Sequence, residues 1–522
     1  MRTSYHPRRS RVLIAGAACL ALATLGPVPP AAAAPPTLKV TNDQLVFLSG
    51  AVQLTVTTSA ASVDWTLSSA TGAAVSSGTQ AATAGAAVIT LNSTSVGYYR
   101  LDVETNSTEV ATASGSLVVI PALPVAQRGS VFGVGAHTPA GYQAGQLTTL
   151  QRVGFGSVRL DAPWNDIEKS AGVYTFPPTV DAAVAAVKAV GGRPLIIAAK
   201  NNLLYNSNHT PTSAADLAAF GDYAEAVVDH YGEDDVDLEI YNEYMYANTG
   251  SCGTTPACFQ TMIDAVDDAV SADHPQTPLA AAGIQSGTSN TVDLTVLDAT
   301  ITHEYVYPAA PEAEFPADMN TFVSTIRSKP GGDLGLWLTE YGWPTPHVEG
   351  VASADAVSED AQADYLVRGG VFALAAGLDR IWFYDLVDDG YDPRSNGVPV
   401  YEKENHFGLM RLPAGGFGGI TPKPALLTQA IMIRQLAGKP YYARSATDPT
   451  TYAYRFGAGT SNTRVLWSTA GGSVDVHVTG TLTVTDRFGA THTATPTGGV
   501  VRIALSGHPQ YVTGTITGVT QA

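Results

Sequence analysis

The sequence predicts a central (β/α)₈ barrel flanked by an N-terminal β-sandwich and a C-terminal β-sandwich. Three observations support this fold class. The chain has 522 residues, too many for one compact hydrophobic core. Between residues 130 and 438, short apolar strands alternate with Ala-rich helical segments. Residues 37–121 and 441–522 have short strands separated by Gly and Ser turns, with no helical pattern between them.

The first 33 residues have the pattern of a signal peptide. Arginines at the start precede an apolar stretch at 12–25 and an Ala-rich cleavage site at 31–33. The apolar stretch is too short and too rich in Ala and Gly for a membrane span. We therefore expect a secreted protein with no membrane partner. The twin Arg8-Arg9 leaves export in the folded state open as an alternative.

The charge of the chain is strongly negative. Removal of the four arginines in the predicted signal peptide leaves 28 − 4 = 24 basic residues against 46 acidic ones, a formal charge of −22. Such a field repels nucleic acid and anionic membranes. We expect no nucleic-acid partner, and a polyanionic substrate is disfavoured.

The N-terminal and C-terminal parts of the chain, residues 37–121 and 441–522, have the same sequence pattern. Residues 52–57 (Val-Gln-Leu-Thr-Val-Thr) and 473–478 (Ser-Val-Asp-Val-His-Val) alternate apolar and polar side chains. This period of two is typical of strands with one buried face, so both parts are predicted to be small sandwiches.

The central part contains eight strand candidates, which fit a (β/α)₈ barrel. They are Val131–His137, Ser157–Ala162, Pro194–Ala199, Val236–Asn242, Pro278–Ile284, Ala299–Tyr307, Leu334–Glu340 and Arg380–Leu386. Helical patterns lie between them, at Pro178–Val190, Ala214–Tyr231, Phe259–Asp273 and Ser358–Ala376. An open doubly wound sheet is the main alternative, but the Gly-rich phosphate turn of that fold is missing after the first strand.

Two cysteines, Cys252 and Cys258, lie in one Gly/Thr/Pro-rich loop. In an oxidising compartment they are expected to form a local disulfide. Neither a second Cys pair nor a nearby His cluster accompanies them in the sequence, so we expect no metal site, and no motif indicates a cofactor.

Chemically useful side chains gather at the predicted strand ends. Strands four and seven end in Glu243 and Glu340, which are 340 − 243 = 97 residues apart. In a barrel the active site lies at the carboxyl ends of the strands. Two carboxylates placed there have the chemistry of glycosidic-bond cleavage, in which one protonates the leaving oxygen and the other attacks or stabilises the sugar cation. The other strand-end candidates are Arg159, Asn242, His303, Tyr305 and Trp382.

These motifs resemble the clan A retaining (β/α)₈ glycoside hydrolases, families 39 and 5 in particular. The most specific marks are Asn242-Glu243 closing strand four and residues 339–343 (Thr-Glu-Tyr-Gly-Trp) closing strand seven. Residues 158–168 and 405–410 add further likeness. The resemblance covers the barrel and, more loosely, the C-terminal part. Unlike many relatives, this chain has Tyr244 rather than Pro after Asn-Glu, which predicts a loop of different shape.

The resemblance implies that Glu243 is the acid/base and Glu340 the nucleophile, and that Asn242 bonds the sugar 2-hydroxyl. A nucleophile must stay ionised, for which Arg159 and Tyr305 are suitable neighbours. His303 is expected to tune the acid/base or to contact sugar. Aromatic rings that we expect to stack on sugar are Trp164, Trp343 and Trp382.

The sequence therefore favours a secreted retaining glycosidase acting on cell-wall or other plant or microbial polysaccharides or oligosaccharides. A carbohydrate-binding protein on an inactive barrel and a transglycosylase are the alternatives. The long loop at 387–404 has polar groups able to clamp a terminal sugar, with a calcium-like carboxylate cluster as the alternative: Asp388, Asp389, Asp392, Arg394 and Asn396. The sugar, the linkage, endo or exo action and the oligomeric state stay open.

Overall fold

The computed structural model describes residues 35–123, 131–136, 144–283, 292–346, 353–395, 398–459 and 462–522. The predicted signal peptide lies outside these residues. Residues Pro36–Ala522 form one compact unit. No helix among the described residues has the length and apolar character needed to cross a membrane.

The described chain contains twenty-nine strands and eight α-helices. The strands are β1 (Leu38–Val40), β2 (Val46–Leu48), β3 (Gly50–Thr58), β4 (Ser62–Ser69), β5 (Ala74–Ala81), β6 (Ala86–Thr94), β7 (Gly97–Thr105), β8 (Thr112–Ile120), β9 (Phe132–Gly135), β10 (Ser157–Pro163), β11 (Glu168–Ser170), β12 (Val173–Tyr174), β13 (Leu195–Ala199), β14 (Asp237–Ile240), β15 (Leu279–Ala281), β16 (Ala299–Glu304), β17 (Gly335–Tyr341), β18 (Arg380–Phe383), β19 (Arg394–Ser395), β20 (Val398–Pro399), β21 (Met410–Arg411), β22 (Thr421–Pro422), β23 (Tyr441–Arg444), β24 (Thr451–Phe456), β25 (Thr463–Ser468), β26 (Ser473–Thr485), β27 (Thr491–Ala494), β28 (Val500–Ala504) and β29 (Gln510–Gln521). The helices are α1 (Ala144–Val153), α2 (Trp164–Ile167), α3 (Pro178–Lys188), α4 (Ala214–Tyr231), α5 (Pro256–Asp273), α6 (Phe315–Arg327), α7 (Glu359–Ala376) and α8 (Pro424–Leu436).

Eight parallel strands close into a barrel in the order β10-β13-β14-β15-β16-β17-β18-β9. Each corresponds to one of the eight strands predicted from the apolar runs, so the fold class is confirmed. Three of the long helices that alternate with these strands begin at a hydroxyl cap: Ser213, Thr255 and Ser358 each accept a bond from the backbone amide three residues on. Such caps satisfy an amide that the helix itself leaves unpaired.

The barrel interior is filled by side chains rather than open. Trp337 and Trp382 lie with ring centroids 5.6 Å apart, and the Arg380 guanidinium lies over both rings. A Cβ on Gly133 would overlap the indole of Trp382, which explains the glycine on the neighbouring strand β9. The packed interior supports the strand ends that carry the polar residues.

The N-terminal strands form two sheets, β1-β3-β6 and β2-β8-β7-β4-β5, around a common apolar core. Phe417, from the segment after β21, packs into that core. Ser116 of β8 donates a hydrogen bond to the carbonyl of Pro422, and its hydroxyl accepts one from Arg411, which also pairs with Glu359 at the start of α7. These contacts join the N-terminal sheets to the barrel.

The C-terminal strands form one seven-stranded sheet in which the long strands β26 and β29 pair along most of their length. Its own apolar core draws residues from β24, β25, β26, β28 and β29. Arg487 pairs with Asp360 and Asp364 of α7, and Trp467 donates to Glu312. This sheet is therefore held to the barrel by ion pairs and ring contacts.

Candidate active site

The carboxyl ends of the barrel strands bring the predicted polar residues together. Arg159 lies on β10, His303 on β16 and Glu340 on β17, while Asn242 and Glu243 follow β14. His303 and Glu340 are paired neighbours in the sheet register. The barrel thus joins residues that are far apart in sequence into one cluster.

Arg159 is the centre of this cluster. Its guanidinium makes two hydrogen bonds to Glu239 (2.7 and 2.6 Å), one to Glu340 (2.5 Å) and one to the amide oxygen of Asn242 (2.8 Å). Arg159 is 3% exposed and Glu239 is fully buried. Burial opposes the positive charge, but Glu239 and Glu340 raise the pKa of Arg159 above its usual value. The network holds Glu340 in one place and puts the positive guanidinium beside its carboxylate.

Glu340 is held in the ionised state. Burial alone would raise the pKa of its carboxyl. The charges of His303 and Arg159 and hydrogen bonds from Tyr305 and Arg159 outweigh burial and lower the pKa to about 2. The Tyr305 hydroxyl donates to the Oε2 atom of Glu340 at 2.7 Å. Its own pKa is raised well above 10, first by burial and then by the charge of Glu340, so it stays a donor.

Glu243 has a different environment. Its side chain is 34% exposed, against 9% for Glu340. The Nδ1 atom of His303 lies 3.1 Å from the Oε1 atom of Glu243 and 3.4 Å from the Oε2 atom of Glu340. The imidazole therefore lies between the two carboxylates, which have oxygens within 4.8 Å of each other.

Among the described residues, two side-chain groups have a spacing that suits metal ligation. Glu243, His303 and Glu340 form one, and Asp360, Asp364 and His508 form the other. In the first group Arg159 already neutralises Glu340, and in the second Arg487 bonds both aspartates. In each group an arginine therefore supplies positive charge beside the carboxylates.

The three tryptophans predicted to stack on sugar lie elsewhere. Trp164, Trp343 and Trp382 are at most 1% exposed. Trp164 stacks between Tyr205 and Tyr223, and Trp382 packs in the barrel interior. Trp343 donates its indole N–H to the carbonyl of Ala309. In this structure all three rings are buried against other side chains.

The loops around the site are fixed by buried polar groups that sequence reasoning did not identify. Glu168 is 1% exposed and accepts hydrogen bonds from Trp164, Tyr205 and the amide of Gly172. No periodic pattern marks a carboxylate of this kind, because its partners come from two different loops.

Two buried side chains pair with the described part of the loop at 387–404. Asp388 pairs with the buried Lys423 at 2.6 Å, and Asp392 pairs with the buried His406 at 2.6 Å. Both carboxylates are therefore engaged with side chains of the protein in this structure. Nearer the site, Lys403 donates to the Tyr307 hydroxyl at 2.9 Å.

The structure pairs Cys252 with Cys258, with Cα atoms 5.8 Å apart. The bridge lies in the loop that follows Glu243 and reaches the first turn of α5. The expected local disulfide is therefore present.

Comparison with known proteins identifies the fold. A family 39 glycoside hydrolase from the gut symbiont Bacteroides cellulosilyticus WH2 is similar at 20% identity with a TM-score of 0.75, over 92% of this chain and 100% of that one. A family 30 endoxylanase from Clostridium papyrosolvens C71 is similar at 13% identity with a TM-score of 0.51, over 74% of this chain and 96% of that one. A glucosidase from Croceicoccus marinus is similar at 14% identity with a TM-score of 0.50, over 74% and 95%. No family model matches the chain, and no curated protein matches it. The likeness shows a shared fold, as the sequence resemblance implied.

Replacing Glu239 tests the buried network. Glu239→Gln leaves Arg159 with one carboxylate and turns an amide NH₂ toward a guanidinium, so we expect a loss of about 3–5 kcal/mol of unfolding free energy. The measurement is the urea midpoint followed by tryptophan fluorescence. Asp475→Asn is the matched control, because it breaks the exposed bidentate pair with Arg502, and its midpoint is expected to stay close to wild type. Equal shifts in both variants would contradict this account.

Proposed function

We propose that this protein is a secreted retaining glycoside hydrolase that cleaves glycosidic bonds in cell-wall or other plant or microbial polysaccharides or oligosaccharides. The observation that carries the proposal is the carboxylate separation. Oxygens of Glu243 and Glu340 lie within 4.8 Å, close to the roughly 5–5.5 Å of retaining enzymes and well below the roughly 6.5–9.5 Å of inverting ones. Inverting enzymes need the wider gap to hold the attacking water, so the short separation supports a carboxylate nucleophile.

In the first step Glu340 attacks the anomeric carbon. It is ionised because its pKa is about 2, and Arg159 and Tyr305 fix its two oxygens. The glycosidic C–O bond breaks as the new ester bond forms, and Glu243 transfers its proton to the departing oxygen. The product of this step is a glycosyl ester on Glu340.

In the second step Glu243, now ionised, takes a proton from water. The water oxygen attacks the anomeric carbon from the face that the leaving group vacated, and the ester bond to Glu340 breaks. The 34% exposure of the Glu243 side chain suits this role, because both the leaving group and the water must reach it. Two displacements restore the original anomeric configuration.

Other residues of the cluster bind or position. Arg159 occupies the amide oxygen of Asn242, so the amide NH₂ of Asn242 is directed to donate to a sugar hydroxyl. Arg159 itself is buried and bonded to three side chains. It acts through Glu340 rather than on the sugar. His303, between both carboxylates, donates from Nδ1 to whichever is ionised at each stage.

Two further observations support the proposal. The solved structures that share this fold include an endoxylanase and a glucosidase, which are proteins that act on glycosidic bonds. The signal-peptide pattern and a disulfide at Cys252–Cys258 suit export to an oxidising compartment.

Substitution of each glutamate separates the two roles. On a panel of 4-nitrophenyl glycosides and plant, fungal and bacterial cell-wall glycans, Glu340→Gln is expected to lose several orders of magnitude in kcat/KM. Glu243→Gln is expected to keep glycosylation by activated aryl glycosides and to regain turnover with azide, giving a glycosyl azide of retained configuration. Glu304→Gln is the matched control, because Glu304 is the residue after His303 on β16. The pKa of Glu304 is raised to about 7 by burial and then by the charges of Asp318 and Glu314 in the α6 region. Activity of Glu340→Gln equal to that of this control would overturn the assignment.

Removing the Tyr305 hydroxyl tests how Glu340 stays ionised. Tyr305→Phe deletes a hydrogen bond to the charged carboxylate, a bond worth about 1.5–3 kcal/mol. The pKa of Glu340 therefore rises from about 2 by about one to two units. Because the ionised form is the nucleophile, the acidic limb of the kcat/KM profile moves to higher pH, while the basic limb stays. An unchanged acidic limb would contradict the proposed role.

A further inference from the structure

The backbone that carries Glu243 is held in an unfavourable conformation. Tyr241 and Glu243 both have left-handed backbones, with φ of 61° and 51°. For residues other than glycine this costs about 1–3 kcal/mol each, and it persists only where the surroundings fix it. The regular strand β14 ends at Ile240. The direction of the Glu243 carboxylate therefore depends on what holds the residues on either side.

Tyr241 is the anchor on the strand side. It is 4% exposed, and its amide bonds the carbonyl of Ala198 on the neighbouring strand β13. Its hydroxyl lies 2.9 Å from the Oγ1 atom of Thr210 and donates to Asn201 at 3.1 Å. Both ends of this side chain are thus fixed.

Tyr244 is the anchor on the loop side. It is 1% exposed and stacks on Phe259 of α5, with centroids 4.3 Å apart and planes at 20°. Its hydroxyl donates to the Sγ atom of Cys258 at 3.0 Å. Sulfur is a weak acceptor, so this contact fixes the ring only if the sulfur itself is fixed.

The sulfur is fixed from two directions. The disulfide ties Cys258 to Cys252. The amide of Cys258 also donates to Thr255, the cap of α5, at 3.2 Å. Tyr244 directly follows Glu243 and lies in a tight turn that begins at the glutamate, with the amide of Tyr246 bonded to the carbonyl of Glu243 at 2.9 Å. Movement of Tyr244 is therefore transmitted to Glu243.

We propose that Tyr244 and the Cys252–Cys258 disulfide are positioning elements that aim the Glu243 carboxylate at the glycosidic oxygen. This inference rests on the proposed function, with Glu243 as the proton donor. Neither element touches the reacting atoms. They act by keeping Glu243 in its left-handed conformation, and misplacement of a catalytic group by about 1 Å costs on the order of a hundredfold in rate.

The kinetic signature follows from the role of the proton. Departure of an alcohol leaving group needs protonation, whereas departure of 2,4-dinitrophenolate does not. Loss of positioning therefore lowers kcat/KM for alkyl glycosides or oligosaccharides and leaves kcat/KM for dinitrophenyl glycosides near wild type. A general loss of structure would lower both.

The test compares Tyr244→Phe and the double variant Cys252→Ser/Cys258→Ser with wild type. Tyr244→Phe removes only the hydrogen bond to sulfur, and the double variant keeps a hydroxyl acceptor but removes the bridge. For each we expect about a tenfold fall in kcat/KM with the poor leaving group and a change of less than about twofold with dinitrophenolate. Tyr246→Phe is the matched control, because Tyr246 lies two residues further on and is 79% exposed.

The outcomes are distinct. Equal falls in kcat/KM with both leaving groups, or an unchanged kcat/KM in both variants, would overturn the positioning role. If the double variant does not fold, Tyr244→Phe alone decides, with its thermal midpoint measured beside that of Tyr246→Phe. Dinitrophenyl glycoside cleavage that survives in Glu340→Gln, or is absent from wild type, would instead overturn the proposed function, and this inference with it.

Discussion

The buried ion pairs of Arg159 are the constraint on which the rest of the site depends. A guanidinium at 3% exposure is stable only with compensating carboxylates, because an unpaired charge in the interior is far too costly. Glu239 supplies one carboxylate from β14 and Glu340 the other from β17. Two carboxylates without the guanidinium would repel each other. The ends of β10, β14 and β17 are therefore held together by charge as well as by the barrel's hydrogen bonds.

The same constraint gives two glutamates different chemistry. Glu340 receives the guanidinium and the Tyr305 hydroxyl, so its charge is stable despite burial. Within the part of the chain that the structure describes, the side chain of Glu243 pairs with the imidazole of His303, and it stays partly open to solvent. Under the proposed function the ionised Glu340 is the nucleophile, and Glu243, which a leaving group and water can reach, is the proton donor. Residue type alone does not divide the roles; the neighbours on β10 and β16 do.

Much of this arrangement follows from sequence pattern, and the remainder depends on tertiary packing. Apolar runs bounded by turns predict all eight barrel strands, and strand ends meet at one edge, so Arg159, His303 and Glu340 are predicted together. The sequence pattern does not reveal which aromatic rings face the candidate active site. Trp382 sits on a strand near the site, yet it fills the interior opposite Gly133. The sequence pattern also does not reveal the buried ion pair of Glu239, because its partner Arg159 comes from a strand 80 residues away in sequence. The left-handed backbone at Glu243 also has no periodic pattern in the sequence that would predict it.

The most direct test is to trap the covalent intermediate. Wild-type protein is incubated with 2-deoxy-2-fluoro dinitrophenyl glycosides of gluco, galacto and xylo configuration. The fluorine slows both displacements, and the good leaving group keeps the first one fast enough for the intermediate to accumulate. Mass spectrometry of peptides then locates the sugar. The account predicts one glycosyl group per chain, esterified to Glu340, with activity lost in proportion. A label on any other residue, or equal labelling of Glu340→Gln, would contradict the assignment of Glu340 as nucleophile.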